Sequence, residues 1–394
     1  MQVDVQTAQA NLKNNYGLVL EGGGAKGAYQ IGAYFALKEL GFEFKSVVGT
    51  SIGSINAAMI VMKEPEKCAE LWRNSSMDSF INQANKNEVR EVLNNSEIPD
   101  ENIFDILKRK AKEKIDGATM DVEPLRNLVM SNIDEEKVRK SDMNFGLVTF
   151  NLTDKRGEEL YIKDIEEGKL CNYIIASCYY PIFRLESIDG KYYLDGGFYN
   201  NLPYNMVENL GQRPVIIRTH PSKLKNIYIP KEAIVIEPRK TYTSAMNFDP
   251  IKAEELMRIG YFDTYKKIKK LLGQKYYIEP FDEDRAFKII NELLDEVFSK
   301  YINEENFKNI SKYRRYFEEI LPEFAKRYGL ADDYSYVKLL TIILEKMAED
   351  LKIDYLKIYK AEEIFEEIKK RQDSLDNKNK NIIENFIGNI LRGR

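Results

Sequence analysis

Over the first 240 residues, short apolar runs alternate with stretches of helical periodicity. Residues 17–20 form the first run, and residues 27–40 follow with Ile31, Tyr34, Phe35 and Leu40 at helical spacing before Gly41 supplies a stop. Residues 44–48 form a second run. It leads into residues 51–62, where Ile52, Ile55, Met59 and Met62 recur on one helical face. The order predicted is strand, helix, strand, helix. From 66 to 140 the chain is polar, with helical clusters such as Ile103, Ile106 and Leu107 and no strand signal, which predicts a helical insertion. Strand-like runs return at 145–150, 160–162, 192–194, 215–219 and 233–236, separated in part by helical stretches at 170–177 and 204–210. Such alternation predicts an α/β fold with a mainly parallel sheet flanked by helices.

Beyond residues 241–247 the strand signals stop. Ile290, Leu293, Leu294, Val297 and Tyr301, then Leu340, Ile343, Leu344 and Met347, mark long amphipathic helices. The pattern divides the chain into a polar tail at 1–15, an α/β domain at 16–240 with its insertion, and an all-helical domain at 248–394. A last helix gathers Ile382, Ile383, Phe386, Ile387, Ile390 and Leu391 on one face, suited to internal packing, a partner or a lipid surface. Size agrees with two domains, because 394 residues exceed the ~250–300 at which single cores stop growing.

Composition narrows the function classes. Lys+Arg number 59 against 63 Asp+Glu, a formal net charge of −4, which gives no footprint for nucleic acid. Cys68, Cys171 and Cys178 have neither zinc-ligand spacing nor the even count of a disulfide framework, so they read as buried apolar residues in a reducing compartment. The polar opening stretch lacks the order of a secretory signal, and no apolar run, including 57–62, approaches the ~20 residues that span a bilayer. A cytoplasmic protein is expected, with any membrane contact peripheral.

Three motifs carry candidate chemistry. Gly49-Thr50-Ser51-Ile52-Gly53 lies between an apolar run and an amphipathic helix, where a nucleophile elbow would lift the Ser51 hydroxyl clear and offer the Ile52 N–H to an oxyanion. Serine also caps helices well, so the pentapeptide alone leaves that alternative open. Gly22-Gly23-Gly24-Ala25-Lys26-Gly27 opens the first helix and fits the dinucleotide fingerprint, but Val48-Gly49-Thr50-Ser51 stands where that fold needs an acidic ribose ligand. Beside a serine elbow, the same loop can supply the other half of an oxyanion hole through its bare N–H groups. Tyr193-Leu194-Asp195-Gly196-Gly197 sets an acid at the end of an apolar run; alone, it is a turn signal.

In this order, and with Ala176-Ser177, Pro181, Phe183 and Asn200-Asn201-Leu202-Pro203 around the acidic motif, these segments resemble the patatin-like phospholipase family over roughly the first 240 residues. The resemblance implies a three-layer sandwich related to the α/β-hydrolases and a Ser–Asp dyad acting on lipid esters, with phospholipids as the expected substrate. By position it makes Ser51 the nucleophile, Asp195 the base, and the amides of Gly23, Gly24 and Ala25, with Gly22 beside them, the oxyanion loop. Lys26 stands where the family usually has Arg or Lys, a candidate substrate contact.

A carboxylate near its ordinary pKa of about 4 is a weak base toward serine, so a dyad needs partial burial to raise Asp195. The chain holds a single histidine, His220, and the order Ser51, Asp195, His220 is also that of hydrolase triads. The resemblance favours the dyad, with His220 structural or touching substrate. No cofactor or metal is expected, since neither the mechanism nor any acidic or histidine-rich spacing asks for one. A noncatalytic lipid-binding or regulatory module, and a dinucleotide enzyme built on the glycine loop, are the rival classes.

Overall fold

The fold was determined as a computed structural model that describes residues 15–76, 79, 121–180, 183, 187–222, 228–301, 311–330 and 334–373. The expectations for the 1–14 tail, for Ile103 to Leu107 and for the helix around 382–391 lie outside the described residues. The chain divides into two compact units, Met1–Thr264 and Tyr265–Arg394.

The first unit begins with β1 (Tyr16–Leu20), α1 (Ala28–Glu39), β2 (Phe44–Thr50) and α2 (Ile52–Val61), the order the periodicity predicts. Within the polar stretch the described residues form α3 (Pro65–Asn74), α4 (Glu123–Asn132) and α5 (Glu135–Lys140). Then follow β3 (Asn144–Asn151), β4 (Arg156–Tyr161), α6 (Leu170–Ser177), β5 (Ser187–Ile188), β6 (Lys191–Asp195), α7 (Tyr204–Glu208), β7 (Arg213–Ile217) and β8 (Ile234–Ile236).

These strands build one sheet in the order β5-β6-β3-β2-β1-β7-β8, with β4 also paired to β3. The ladders among β3, β2, β1, β7 and β8 are parallel; β4, β5 and β6 join antiparallel. Val19, Val48, Val148 and Ile216 turn to one face and pack with Leu202, Met206 and Val207 around α7. Their neighbours Leu18, Leu20 and Val47, on the opposite face by alternation, are equally buried, so both sides of the sheet are covered.

One irregularity of the sheet decides the site. Gly146 to Val148 pair with both β2 and β4, while Thr149 to Asn151 pair with both β4 and β6. With β4 occupying one edge of β3 throughout, β2 and β6 must share the other edge, one after the other. They run in opposite directions, so their C-terminal ends meet head on, Thr50 opposite Val148 and Asp195 opposite Thr149.

The sequence pattern ends the first domain near 240, yet the packing carries the first unit on to Thr264, inside α8 (Pro250–Lys269). A Cβ on Gly32 of α1 would collide with the Met257 carbonyl, and one on Gly260 with the Tyr29 carbonyl. Two glycines thus let the helix backbones touch, a contact that apolar periodicity does not register.

In the second unit, α9 (Glu283–Tyr301), α10 (Lys312–Arg315), α11 (Leu321–Arg327), α12 (Tyr336–Asp350) and α13 (Ala361–Asp373) surround a core that includes Ile290, Leu293, Leu294, Leu340, Ile343, Leu344 and Met347. A turn of π-helix, Tyr316–Ile320, joins α10 to α11. The unit is not wholly helical, because β9 (Tyr277–Ile278) and β10 (Ile358–Tyr359) form a parallel pair. Two-residue strands are too short to show alternation in sequence. Among the described residues no helix is long and apolar enough to cross a membrane.

Candidate active site

Ser51 occupies the turn between β2 and α2 with φ 55° and ψ −129°, a conformation that costs a non-glycine residue about 1–3 kcal/mol. Tight packing holds it there. A Cβ on Gly49 would strike the Gly53 backbone and one on Gly53 the Leu20 carbonyl, so strand and helix meet at contact distance only because both are glycine. Ser51 N–H donates to Ser177 Oγ at 2.9 Å, and its carbonyl accepts from Ser54 N at 2.8 Å and Ser54 Oγ at 2.7 Å. The capping alternative fails, since the Ser51 side chain makes no cap bond to α2. Its hydroxyl donates instead to Asp195 Oδ2 at 2.5 Å.

Asp195 is 6% exposed. Its Oδ1 accepts from Gly197 N at 2.7 Å, so it satisfies its own turn as well, and its N–H donates to the Tyr179 carbonyl at 2.8 Å. Burial pushes its carboxyl up to about 6, against the opposing pull of the Ser51 and Gly197 hydrogen bonds. The stretch after it braces the meeting point. Thr50 Oγ1 donates to the Asn200 carbonyl at 2.8 Å, and the Asn200 amide donates to Glu159 at 2.7 Å and to Asn205 at 2.8 Å. Tyr180 lies near enough for burial and the Asp195 charge to raise its phenol, and it stacks on Phe198 with ring centroids 5.9 Å apart. Buried Cys178 is likewise raised, by burial first and by the Asp195 charge second, which leaves a thiol and not a thiolate.

The glycine loop follows β1 and packs against the start of α2, where Gly27 abuts Ile52. Not all of its amides face outward. Gly22 N–H donates to the Asn201 carbonyl at 3.2 Å and Ala25 N–H to the Ala245 carbonyl at 2.7 Å, whereas no described residue accepts from Gly23, Gly24 or Ile52 N–H. Gly24 sits at φ 57°, and a side chain there would also hit Ala245. Thr219 Oγ1 donates to the Gly22 carbonyl at 2.7 Å and fills the space a Cβ on Gly23 would need. Protein atoms therefore crowd the side-chain positions of all three glycines.

His220 belongs to this loop. Its Nε2 meets Lys26 Nζ at 2.8 Å, its Nδ1 meets Thr219 Oγ1 at 2.9 Å, and its N–H donates to Glu21 Oε2 at 3.2 Å. An ammonium can only donate, so Nε2 accepts and Nδ1 carries the proton toward Thr219, whose own hydroxyl proton goes to Gly22. Lys26 and His220 are thus brought together in one group, Ser51 and Asp195 in another. With Ser51 bonded directly to Asp195, no imidazole stands between them. Sequence reasoning missed Glu21, the buried acid that anchors the His220 group; its only signal was a charge directly after an apolar run. Ser177 entered only as part of a family pattern, with no role.

Residues 18–207 match the family model for patatin-like phospholipase. The match to that domain covers just under half of the chain, and Ser51 and Asp195 both lie within it. Among curated proteins, the Caenorhabditis elegans patatin-like phospholipase domain-containing protein ZK370.4 is 28% identical over 211 residues, 52% of this chain and 13% of that protein. The uncharacterized Bacillus subtilis protein YqhO is 57% identical over 42 residues, 11% of this chain and 14% of its own. The matches thus span well under a fifth of either relative. Among solved structures, VipD from Legionella pneumophila aligns with a TM-score of 0.43 and 16% identity, covering 96% of this chain and 90% of VipD. The type III effector ExoU aligns with a TM-score of 0.33 and 13% identity, covering 93% and 73%.

Proposed function

We propose that the chain is a serine acyl hydrolase that cleaves carboxyl esters of lipids, glycerophospholipids foremost, by a Ser–Asp dyad. The observation that carries this reading is the Ser51 hydroxyl, presented on a strained elbow and donating at 2.5 Å to a buried Asp195 whose carboxyl is pushed up to about 6. A base with that proton affinity is mostly ionised at pH 7 yet closer to a serine hydroxyl in strength than an exposed aspartate.

Ser51 Oγ attacks the ester carbonyl as its proton passes to Asp195 Oδ2. The oxyanion is met by Gly23, Gly24 and Ile52 N–H, amides of the elbow and loop that no described residue engages. Collapse expels the alcohol, which takes the proton from Asp195 and leaves an acyl group on Ser51. Water, deprotonated by Asp195, then clears the ester. Lys26, held by His220 at the loop, offers positive charge to an anionic head group. Neither metal nor organic cofactor enters these steps, and docking on a lipid surface is peripheral.

Fluorophosphonate labelling and fatty-acid release from phosphatidylcholine vesicles test the proposal. Both are expected from wild type and from neither Ser51→Ala nor Asp195→Asn. Folded wild type that holds vesicles but neither labels nor releases fatty acid would establish a binding module instead.

A further inference from the structure

We infer that Asn56 is a positioning residue that registers the nucleophile against the oxyanion loop, an inference that rests on the hydrolase reading above. Asn56 lies five residues after Ser51 on α2 and is 1% exposed. Its amide donates to the Gly27 carbonyl at 3.0 Å and to Gln30 Oε1 at 2.9 Å. Its carbonyl accepts from Trp72 Nε1 at 3.1 Å and from Cys68 Sγ at 3.4 Å. Gln30, fully buried, donates in turn to the Glu21 carbonyl at 2.7 Å.

The orientation of this network is forced. The Trp72 indole can only donate, so Asn56 Oδ1 must face it; the Gly27 and Glu21 carbonyls can only accept, so both amide nitrogens must face them. Every hydrogen-bonding group of Asn56 is used. Glu21 and Gly27 are the residues immediately flanking the loop 22–26, and both are tied through Gln30 and Asn56 to the helix that begins at Ser51. One side chain thus links the two halves of the reaction centre.

Alternatives explain less. An apolar residue at 56 would pack beside Ile52 and Met59 without the desolvation cost of a buried amide, and the helix has no need of it for its own hydrogen bonds. The network does what packing alone does not, fixing a distance between Ser51 and the loop amides. Catalysis is sensitive to that distance, since misplacing a group by 1 Å can cost about 10²-fold.

The test compares wild type with Asn56→Leu, Asn56→Leu/Trp72→Phe and Gln30→Met. The double variant removes the indole donor, one of the buried groups that Asn56→Leu strands, so it recovers part of the stability without restoring the link. The readouts are kcat per fluorophosphonate-titrated Ser51 on a soluble short-chain ester, KM, thermal midpoint, and amide exchange of residues 22–27. Asn56→Leu is expected to lose about 10²-fold in kcat with KM within about threefold, and to exchange faster across the loop. The double variant is expected to recover part of the midpoint but none of kcat, and Gln30→Met to lose about tenfold in kcat. Recovery of kcat along with stability, or loop exchange unchanged in Asn56→Leu, would overturn the inference. A wild type with no Ser51-dependent hydrolysis would overturn the hydrolase reading, and the exchange measurement would still decide the role of Asn56.

Discussion

Two acids stand at the C-terminal ends of strands in the same sheet, Glu21 after β1 and Asp195 closing β6, and both are buried. Their environments are opposite. Burial works to raise Glu21, but His220, Arg218 and the Thr219 N–H outweigh it and hold the carboxyl below its usual range. Glu21 accepts from Thr219 N at 2.6 Å and from Arg218 Nη2 at 3.4 Å, with His220 Nδ1 3.5 Å away. Asp195 receives only the Ser51 hydroxyl and the Gly197 N–H, with no cationic side chain against it among the described residues, and burial prevails. Burial alone does not make a base; the count of donors and cations around the buried group does. One acid is saturated and structural. The other keeps an affinity for a proton and touches a serine.

That contrast can be broken most directly at its reactive end. Ser51→Ala should lower esterase kcat by on the order of 10⁴-fold or more, with Asp195→Asn close behind; residual activity above a few per cent of wild type in Asp195→Asn would remove the aspartate from the role of base. At the structural end, Glu21→Gln should cost about 3 kcal/mol in urea unfolding at pH 7, because buried Arg218 would lose the nearer and fully buried of its two carboxylate partners and keep only Glu237 at 3.7 Å. A variant as stable as wild type would erase the distinction between the two acids.

The pH dependences should run in opposite senses. Asp195 has a raised pKa, so the folded state binds its proton more tightly than the unfolded chain does, and stability falls as pH rises from about 4 to about 6. Above about 6 the cost is fully present. Asp195→Asn should therefore stabilise the fold by about 2–3 kcal/mol at pH 8, a gain that shrinks to nothing near pH 4. Glu21, with its pKa lowered, contributes stability that is complete above its ordinary value of about 4.3 and is lost as pH falls below it. Activity should follow Asp195: kcat/KM is expected to drop tenfold per unit below pH about 6, and a flat profile down to pH 5 would contradict a buried aspartate base.

The smallest effect is expected at His220. His220→Gln keeps a side chain able to accept from Lys26, and should change kcat by less than about tenfold. A collapse comparable to Ser51→Ala would return the triad.

Much of the α/β unit was legible in the sequence. The apolar runs at 17–20, 44–48 and 145–150 and the helices at 170–177 and 204–210 stand where periodicity puts them, because parallel strands buried on both faces leave continuous apolar runs. The turn at Ser51 was legible too, from Gly49 and Gly53. The end of the first unit was not, since it depends on two glycines in different helices finding each other's backbones. Nor could the sequence tell which loop amides are engaged: Gly22 and Ala25 are answered by Asn201 and Ala245, from segments about 180 and 220 positions away.

By itself, then, the sequence determined what is local: an elbow at Ser51, a bare-backboned loop at Gly22 to Gly24, an acid before two glycines at Asp195, and one histidine whose service was undecided. Only the tertiary structure decided that Ser51 and Asp195, 144 positions apart, share a hydrogen bond while His220 turns to Lys26. The physical reason lies in β3, which pairs along a single edge first with β2 and then with the opposed β6, and so brings two strand ends together that no local pattern connects.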